Sequence, residues 1–448
     1  MVTNRSEMLL DRKKGKLDGM DPSILENVER SGVEYLQVVL TDIFGGQKGL
    51  EFPIGSLKEV DQIGIDGSSV GLEPTKHSDL SLLPDPSTFL VLPWDQRIGR
   101  VLADVKKADG QDFDACPRTI LKHQIGKLNA ANLEYLCRPE LEFYLVDDDC
   151  PADNAHYMDL EPLDEFAPLR RKMIDFALEI GIQVKYGHHE CGPGQMEIEF
   201  LYDAPLQAAD HTQLFKLLAR YLSWDEGLIA TFMPKPFSGE AGNGLHIHQR
   251  LLKEGQSLFT EEAGKLTDQC RYFIGGLIEH APAMTAITCP TVNSFRRMVV
   301  GQEAPVYLTW GIANRTALIR IPGYEKEIKL EYRGGDGSAN IYLLLSVLIA
   351  SGLDGINRKI EPPDPVSIDI DALSNKKRRE MAIELVPSNL SEALNALEED
   401  RFMREVLGED LLEVFLREKR KEWSEFQAVA KGAVDVTEWE WEKYLQYG

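Results

Sequence analysis

The sequence contains few cysteines, and their spacing suits neither disulfide bonding nor metal binding. Its six cysteines are scattered through 448 residues, and none forms a C-x-x-C pair. This pattern argues against a disulfide framework, a structural zinc site and thiol redox chemistry. It favours reduced thiols in a cytosolic protein.

Long hydrophobic runs are also lacking. The longest run, Ile341–Leu353, has thirteen residues and is interrupted by serines, whereas a membrane-spanning helix needs about 20 apolar residues. We interpret this run as a core helix. Residues 1–20 are polar and charged, with no long apolar centre. We therefore predict no secretory signal and a cytoplasmic location.

Positive charge is scarce. Lysine and arginine number 49 against 73 aspartates and glutamates, which gives a net charge of −24. Such a chain repels nucleic acid and anionic membranes, so neither is expected as a partner. The patterns G-x-x-x-x-G-K-[ST] and G-x-G-x-x-G before a helix are missing, so a P-loop or Rossmann site is not indicated. An anionic substrate therefore needs a local basic pocket.

The composition, 43% hydrophobic and 27% charged, is that of a globular protein. The length predicts two or more domains, because domains average roughly 100 to 200 residues. Strand-like segments at 33–41 and 48–54 flank a Gly45-Gly46 turn, and a long proline-rich loop is predicted after Asp66. We predict a small β-rich N-terminal domain over residues 1–112.

Residues 113–448 alternate helical and strand-like patterns, which predicts an α+β catalytic domain with an antiparallel sheet flanked by helices. The predicted helices are 118–132, 165–180, 205–222, 266–280 and 338–355, and the predicted strands are 139–146, 182–188, 195–202 and 244–252. From Asp369 onward the chain is predicted to be helical, with Trp423, Trp439 and Trp441 as packing anchors.

Ionisable residues recur at a spacing of two in three predicted strands. The pairs are Glu140 and Glu142, Glu197 and Glu199, and His246 and His248. A spacing of two places each pair on one face of its strand. One such strand would only indicate a half-exposed strand. Three of them indicate carboxylates that face one another and repel unless cations neutralise them, which predicts bound Mg²⁺ or Mn²⁺.

Two further segments carry chemistry. A Gly-Pro-Gly turn between Glu190 and Glu197 is expected to bring those two carboxylates together. The stretch 295–324 holds four arginines, Arg296, Arg297, Arg315 and Arg320, against the single acid Glu303. Planar guanidinium groups bind carboxylate and phosphate, although scattered surface arginines paired with local acids remain the alternative.

Long motifs in this order resemble the glutamine synthetase family over nearly the whole chain. They are DGSSVG at 66–71, PELEF at 139–143, HHECGPGQMEIEF at 188–200, FMPKPF at 232–237, GNGLHIHQ at 242–249, NSFRRM at 293–298, GQEAPVYL at 301–308 and NRTALIRIP at 314–322. The resemblance is to the shorter type I members. Residues 381–390 contain no tyrosine, so control by adenylylation is not expected.

The resemblance implies two Mg²⁺ or Mn²⁺ ions, with ATP as co-substrate. One ion would be held by Glu142, Glu190 and Glu197, and the other by Glu140, His246 and Glu331. Glutamate and the transferred phosphoryl group would be bound by Arg297, Arg315, Arg320 and Arg333.

Further roles are implied in the same way. Asn243, Gly244 and Asp66 would bind glutamate, and Glu303 would be the flap acid that closes the site. Asp42, contributed by an adjacent subunit, and Tyr157 would bind ammonium. The nucleotide would contact His248, Lys329 and Phe200.

The implied protein is a two-ring dodecamer with a β-grasp N-terminal domain and active sites at subunit interfaces. Its implied reaction joins ammonia to glutamate through a γ-glutamyl phosphate, giving glutamine, ADP and phosphate. Departures from the family pattern at Gln302, Lys329, Arg250 and Ile341 leave the acceptor open. The alternatives are a γ-glutamyl-amide ligase that uses a polyamine or alkylamine, and an inactive scaffold or regulatory paralogue.

Overall fold

The computed structural model describes residues 20–72, 78–261, 264–302, 304–323 and 327–446. The chain forms two compact units. The N-terminal unit runs to Asp42 and resumes over Gln47–Thr119, and the C-terminal unit comprises Ile43–Gly46 and Ile120 onward. Both contain helices and strands, which confirms the predicted α+β class.

The N-terminal unit is built on a six-stranded sheet. Its elements are α1 (Pro22–Ser31), β1 (Tyr35–Thr41), β2 (Gln47–Pro53), β3 (Ile63–Asp66), β4 (Asp79–Pro84), β5 (Leu90–Leu92) and β6 (Asp95–Lys107), with 3₁₀ turns at Ile54–Glu59 and Pro86–Thr88. The order is β2-β1-β6-β4-β3, with β5 against β6 and with β1 parallel to β6. The predicted hairpin between β1 and β2 is confirmed.

The proline-rich stretch after Asp66 was predicted to be a loop, but part of it is a strand. Strand β4 occupies its second half and buries Leu80 and Leu82 against the sheet. Its proline, Pro84, stands at the strand end, where loss of one backbone N–H costs little. The first half of the predicted loop, residues 73–77 with Pro74, lies outside the described residues.

The C-terminal unit contains a ten-stranded, mostly antiparallel sheet. Its strands are β7 (Glu134–Asp147), β8 (Cys150–Pro151), β9 (Val184–His189), β10 (Gln195–Phe200), β11 (Ile229–Thr231), β12 (Leu245–Lys253), β13 (Gln256–Ser257), β14 (Tyr307–Ile312), β15 (Ala317–Ile321) and β16 (Leu330–Tyr332). The main order is β14-β15-β16-β12-β7-β10-β9, and the β14–β15 pair is parallel.

Helices accompany this sheet at the predicted places. They are α2 (Pro117–Ala130), α3 (Ala167–Glu179), α4 (Pro205–Asp225), α5 (Asp268–Thr288), α6 (Ser294–Arg297), α7 (Ile341–Arg358), α8 (Asn375–Glu380), α9 (Leu390–Glu399), α10 (Arg401–Leu407), α11 (Glu409–Ala430) and α12 (Glu438–Tyr444). The predicted tryptophan anchors hold the last two helices. Trp439 packs on Phe426, and the Trp441 indole N–H donates to the Pro236 carbonyl at 2.6 Å.

Helix α7 is long and apolar enough to cross a membrane by length and composition, but 72% of it is buried inside the protein. It is the predicted core helix. It crosses α5 at small residues, where a Cβ on Gly276 would lie 2.0 Å from the Ser351 carbonyl oxygen. Glycine is therefore needed for the two backbones to approach this closely.

The short segment Ile43–Gly46 belongs to the C-terminal unit, although strands of the N-terminal unit flank it in sequence. The Phe44 ring stacks on Phe415 with centroids 6.1 Å apart. Asn340, which caps α7, donates to the Ile43 carbonyl at 3.4 Å, and Gln213 of α4 donates to the Gly45 carbonyl at 3.2 Å. This tetrapeptide is thus held by three helices of the C-terminal unit.

A buried histidine joins the helices behind the sheet. His280 of α5 is 4% exposed, and its ring nitrogens lie 3.0 Å from Asp354 of α7 and 2.8 Å from Asp400 beside α10. Burial lowers the pKa of His280, but hydrogen bonds to Asp400 and Asp354 outweigh it and raise the pKa above its usual value. The imidazolium therefore links three helices.

We expect His280→Gln to destabilise the protein most at low pH. A raised histidine pKa contributes stability that is complete below the unfolded pKa of about 6.5 and is lost as pH rises through the folded pKa. The loss should amount to about 1.5–3 kcal/mol, the usual range for hydrogen bonds to charged groups. Thermal unfolding of both proteins between about pH 5.5 and 9 would measure it.

His123→Gln, at an exposed position of α2, is the matched control and should show no such pH dependence. A gap between His280→Gln and the parent protein that widened with rising pH would contradict this account of the ion pairs.

Candidate active site

A cavity of about 460 Å³ lies over the middle strands of the ten-stranded sheet. Twelve of the residues predicted from the sequence line it: Glu140, Glu142, Tyr157, Glu190, Glu197, His246, His248, Arg297, Arg315, Arg320, Glu331 and Arg333. The fold therefore gathers most of the predicted site into one place.

Strand register explains how residues distant in sequence meet there. Strand β10 pairs with β7 so that Glu197 lies opposite Glu142, and β12 pairs with β7 so that His246 lies opposite Glu140. Strand β16 then places Glu331 opposite His248. Since paired residues on neighbouring strands point to the same face, all these groups face the cavity.

The ionisable groups form several sets whose ligand atoms lie within 4.8 Å of one another. One set is Glu140, His246 and Glu331, as predicted. Glu197 belongs to two others, one with Glu140 and Glu142 and one with His188 and Glu190. Oxygen donors with an occasional imidazole suit Mg²⁺ or Mn²⁺, so the residues present fit the divalent ions that the sequence predicts.

The carboxylates differ sharply in their electrostatics. Burial and the charge of Glu190 raise the pKa of Glu142 to about 8, and burial with the charge of Glu140 raises the pKa of Glu197 well above its usual value. Burial also acts on Glu140, but hydrogen bonds from His246 and His248 lower its pKa. Without countercharge, the cluster holds some of its carboxyl groups protonated near neutral pH.

Arginines form a further part of the cavity wall. Both carboxylate oxygens of Glu331 accept guanidinium hydrogen bonds, one from Arg320 at 2.5 Å and one from Arg333 at 2.6 Å. Burial raises the pKa of Glu331, but Arg333 outweighs burial and lowers it to about 2. Exposed Arg315 and buried Arg297 also line the cavity. The site thus places fixed positive charge directly beside the carboxylates.

Arg296 does not join this wall, contrary to the prediction of a four-arginine cluster. Its guanidinium forms two hydrogen bonds, 3.0 and 3.1 Å long, with the carboxylate of Glu440 on α12. The neighbours Arg296 and Arg297 leave their short helix α6 in different directions, and only Arg297 faces the cavity.

Asn243 and Gly244 lie beside the cavity rather than in it. The Asn243 side chain is fully buried and hydrogen-bonds to Met233 and Gln195, so it supports the loop from inside. The Gly244 N–H donates to Glu142 at 2.7 Å. A Cβ on Gly244 would meet His246 Nε2 at 2.8 Å, so only glycine allows this approach.

Of the predicted nucleotide contacts, only His248 lines the cavity. Alternation along β10 turns the Phe200 ring to the opposite face, where it packs on Phe215 with centroids 5.5 Å apart. The ring therefore does not line the cavity, and the predicted nucleotide contact of Phe200 stays a prediction. Lys329 lies with its amine 5.3 Å from the ring centre of Tyr202, which Arg138 and Arg250 also approach at 4.9 and 5.6 Å.

Three other predicted residues are not among those that line the cavity in the described part of the chain. Asp42 and Asp66 belong to the N-terminal unit, where Asp42 lies 3.9 Å from Lys48 and Asp66 accepts hydrogen bonds from Ser68 and Ser69. Glu303, the predicted flap acid, lies outside the described residues.

The structure adds cavity residues to which the sequence gave no individual role. His188 approaches Glu197 at 3.2 Å, and its place next to Glu190 in the His-His-Glu motif was a usable signal. Glu199, predicted to share a strand face with Glu197, lines the cavity and lies 2.5 Å from Arg138 and 2.8 Å from Lys185. Tyr186 lines the cavity too, with no local signal for it.

We expect Mn²⁺ to raise the thermal midpoint more at about pH 8 than at about pH 6. Glu142 has a raised pKa in the folded protein, so the free energy of unfolding falls as pH rises toward about 8. An ion that binds the deprotonated cluster removes that cost, and at a hundred times its Kd it stabilises by about 2.7 kcal/mol. Calorimetry with and without Mn²⁺ would measure both shifts.

Glu197→Gln should lose most of the Mn²⁺-induced shift. Glu134→Gln, at the exposed end of the same strand pair, should keep it. Equal Mn²⁺ shifts in the two variants would rule out a metal site at this cluster.

Comparison with known proteins agrees with this geometry. Residues 114–444 match the family model described as "Glutamine synthetase, catalytic domain", and residues 32–108 match "Glutamine synthetase, beta-Grasp domain". Proteins named glutamine synthetase from Pyrococcus horikoshii and Methanocaldococcus jannaschii are 40% and 37% identical to the chain. The alignments cover 94% and 96% of this chain, and 98% and 99% of those proteins.

A solved structure described as a GmaS/ADP complex has a TM-score of 0.83 and 30% identity, and the match covers 94% of this chain and 98% of that one. A structure described as apo GmaS without ligand agrees equally well. The predicted resemblance and the β-grasp N-terminal domain are confirmed. The chain therefore belongs to the glutamine synthetase family of ATP-using ligases.

Proposed function

We propose that the protein joins ammonia to the γ-carboxylate of glutamate at the expense of ATP, through a γ-glutamyl phosphate intermediate. The observation that carries this proposal is the single cavity in which the carboxylate–histidine cluster faces Arg297, Arg315, Arg320 and Arg333. Relatives about 40% identical over almost their whole length bear the name of this activity.

The cluster is proposed to hold two divalent cations. Glu140, His246 and Glu331, whose ligand atoms lie within 4.8 Å of one another, would hold one near the ATP phosphates. Glu142, Glu190 and Glu197 would hold the other, and Glu197 shares one close group with Glu142 and a second with Glu190 and His188. When bound, such ions offset phosphate charge and make the γ-phosphorus more electrophilic. The protein's own contribution is a rigid sheet that fixes the carboxylates before substrates arrive.

The arginines have the complementary task. Arg297 is proposed to bind glutamate, while Arg315, Arg320 and Arg333 bind glutamate and the transferred phosphoryl group. Because Glu331 orients Arg320 and Arg333 by hydrogen bonds of 2.5 and 2.6 Å, their charge is placed before reaction. Preorganised positive charge lowers the energy of a transition state in which phosphate oxygens gain charge. Glu303 is proposed to close the site against water.

Ammonia is proposed to be taken up beside Glu190 and Tyr157. The Tyr157 ring packs edge-on against His188, with centroids 5.3 Å apart, so Tyr157 and Glu190 lie on the same side of the cavity. A carboxylate next to an aromatic face attracts ammonium. Asp42 of an adjacent subunit would withdraw a proton from the bound ammonium, and this role requires a homo-oligomer. We propose that the homo-oligomer is a dodecamer and that it is located in the cytoplasm. Asn243 and Gly244 keep their proposed role toward glutamate, and Asp66 keeps its role in substrate binding. His248, Lys329 and Phe200 keep their proposed roles toward the nucleotide.

A γ-glutamyl-amide ligase that accepts an alkylamine or polyamine is the second candidate. The observation that favours it is the exposure of the acceptor side, where Tyr157 and Met158 line the cavity and are 48% and 56% exposed. An open acceptor side leaves room for carbon atoms attached to the nitrogen.

Phosphate release from ATP with Mg²⁺ and glutamate would separate the two candidates. The proposal expects a higher kcat/KM for ammonium than for methylamine or putrescine. A higher kcat/KM for an organic amine would support the γ-glutamyl-amide ligase instead, with the same metal-binding and arginine roles. No metal-dependent turnover with any acceptor would indicate the inactive paralogue.

We expect Arg297→Lys to raise the KM for glutamate at least about tenfold, which corresponds to about 1.4 kcal/mol. A lysine keeps the charge but cannot supply the planar pair of donors that matches a carboxylate. Steady-state kinetics with varied glutamate would measure the change.

The neighbouring Arg296→Lys is the matched control, because Arg296 pairs with Glu440 and does not line the cavity. It should lower the thermal midpoint and leave the KM for glutamate unchanged. A similar rise of KM in both variants would remove Arg297 from the proposed glutamate site.

A further inference from the structure

A glycine-rich turn connects the arginine wall to the core. Strand β16 carries Glu331 and is followed at once by Arg333, and the turn Gly334–Ser338 then leads to α7. Arg333 directly precedes the turn and donates a hydrogen bond to Glu331 at 2.6 Å, and both residues line the cavity. The turn therefore adjoins two groups that the proposed reaction uses.

Each successive carbonyl from Arg333 to Gly337 accepts a hydrogen bond from a different donor. The donors to the first three, Arg333, Gly334 and Gly335, are the Arg297 guanidinium at 3.5 Å, the Cys289 thiol at 2.9 Å and the Leu245 N–H at 3.0 Å. The Ala339 N–H donates to Asp336 at 3.1 Å, and the amine of Lys216 donates to Gly337. The turn is therefore fixed along its whole length.

Lys216 is an unusual donor for such a place. It lies on α4, is 5% exposed, and reaches the turn from a helix 121 residues earlier in the chain. Burying a lysine amine is costly, so natural cores almost never do so without a specific partner. Here the partners are the Gly337 carbonyl and the face of Phe232, 5.3 Å from the amine.

The electrostatic surroundings favour the neutral form of the buried amine. Burial and the charge of Arg220 lower the pKa of Lys216 to about 7, and the carboxyl of Asp336 acts in the opposite direction. Asp336 is itself fully buried in the turn and accepts a hydrogen bond from the Ser338 N–H at 2.9 Å. Either charge state of the amine can donate to the carbonyl, so the contact persists near neutral pH.

The turn is also packed closely against the backbone of neighbouring segments. A Cβ on Gly337 would lie 2.8 Å from the Phe232 carbonyl oxygen, and one on Gly335 would lie 2.8 Å from the Leu245 carbonyl oxygen. Leu245 directly precedes His246, a member of the carboxylate–histidine cluster. The turn is thus wedged between the cavity strand β12 and the lysine on α4.

We propose that Lys216 is a positioning residue for the ligase reaction, which holds the Arg333–Gly337 backbone so that Glu331 and Arg333 keep their places in the cavity. The inference rests on the proposed function of those two residues. Lys216 touches no substrate in this account, and its effect passes entirely through the turn.

Lys216→Met tests the proposal, because it keeps the length of the side chain and removes the donor. We expect kcat per folded molecule to fall at least about tenfold and the KM for ATP to rise, since misplacement by about 1 Å can cost 10²-fold in rate. The dissociation constant of ADP in the presence of Mg²⁺, measured by calorimetry, should rise in parallel. This binding measurement does not depend on turnover or on the identity of the acceptor.

Two companion variants keep the test decisive. Gly337→Ala leaves the lysine in place but forces the turn away from Phe232, so it should reproduce the change in kcat and in ADP binding. Thr212→Val removes a buried hydroxyl from the same helix, one that donates only to the Ala208 carbonyl at 2.7 Å. It should lower the thermal midpoint alone.

The parent protein's own turnover tests the proposed function separately. If the parent turns over and Lys216→Met folds with unchanged kcat, KM for ATP and ADP binding, the proposal is overturned. If Lys216→Met does not fold, unchanged kinetics in Gly337→Ala overturn it equally. A loss of kcat in Thr212→Val as large as in Lys216→Met would show a general effect of α4 and would also overturn it.

Discussion

Mutual repulsion of buried carboxylates is the constraint on which the rest of this site depends. Ligand oxygens of Glu140, Glu142 and Glu197 lie within 4.8 Å of one another. Two ionised carboxylates at about 4 Å repel by about 4 kcal/mol at the effective dielectric constant of protein surfaces. The antiparallel register helps the fold to tolerate this cluster, because backbone hydrogen bonds and a core on the opposite face fix the strands independently of these side chains.

Positively charged and hydrogen-bonding groups around the carboxylates offset that repulsion. Histidines contact the carboxylates directly, arginines neutralise Glu331 from the next strand, and divalent cations are proposed to supply the remaining positive charge. The same positive groups suit the phosphates of ATP. A net charge of −24 therefore coexists with a local concentration of arginines in the cavity, which is the arrangement that the proposed phosphate binding requires.

Local patterns predicted the fold and most of the site, since a spacing of two along a strand fixes the face on which Glu140, Glu197 and His246 lie. The same alternation, applied to Phe200, would have turned its ring away from the cavity. What the sequence could not supply were partners far along the chain. Arg296 is adjacent to Arg297, yet Glu440 on α12 takes it out of the site. Lys216 carries no local signal, because its partner is a backbone carbonyl 121 residues away.

The tetrapeptide Ile43–Gly46 has a consequence for dividing the protein experimentally. Its Phe44 ring stacks on Phe415, and the Asn340 amide that caps α7 hydrogen-bonds to its backbone. A fragment that begins at residue 113 would lack these four residues. It would expose an apolar surface on α11, and the side-chain amide of Asn340 would lose its hydrogen-bond acceptor. Neither unit therefore corresponds to one uninterrupted stretch of chain, so a cut at a single position would not yield either of them intact.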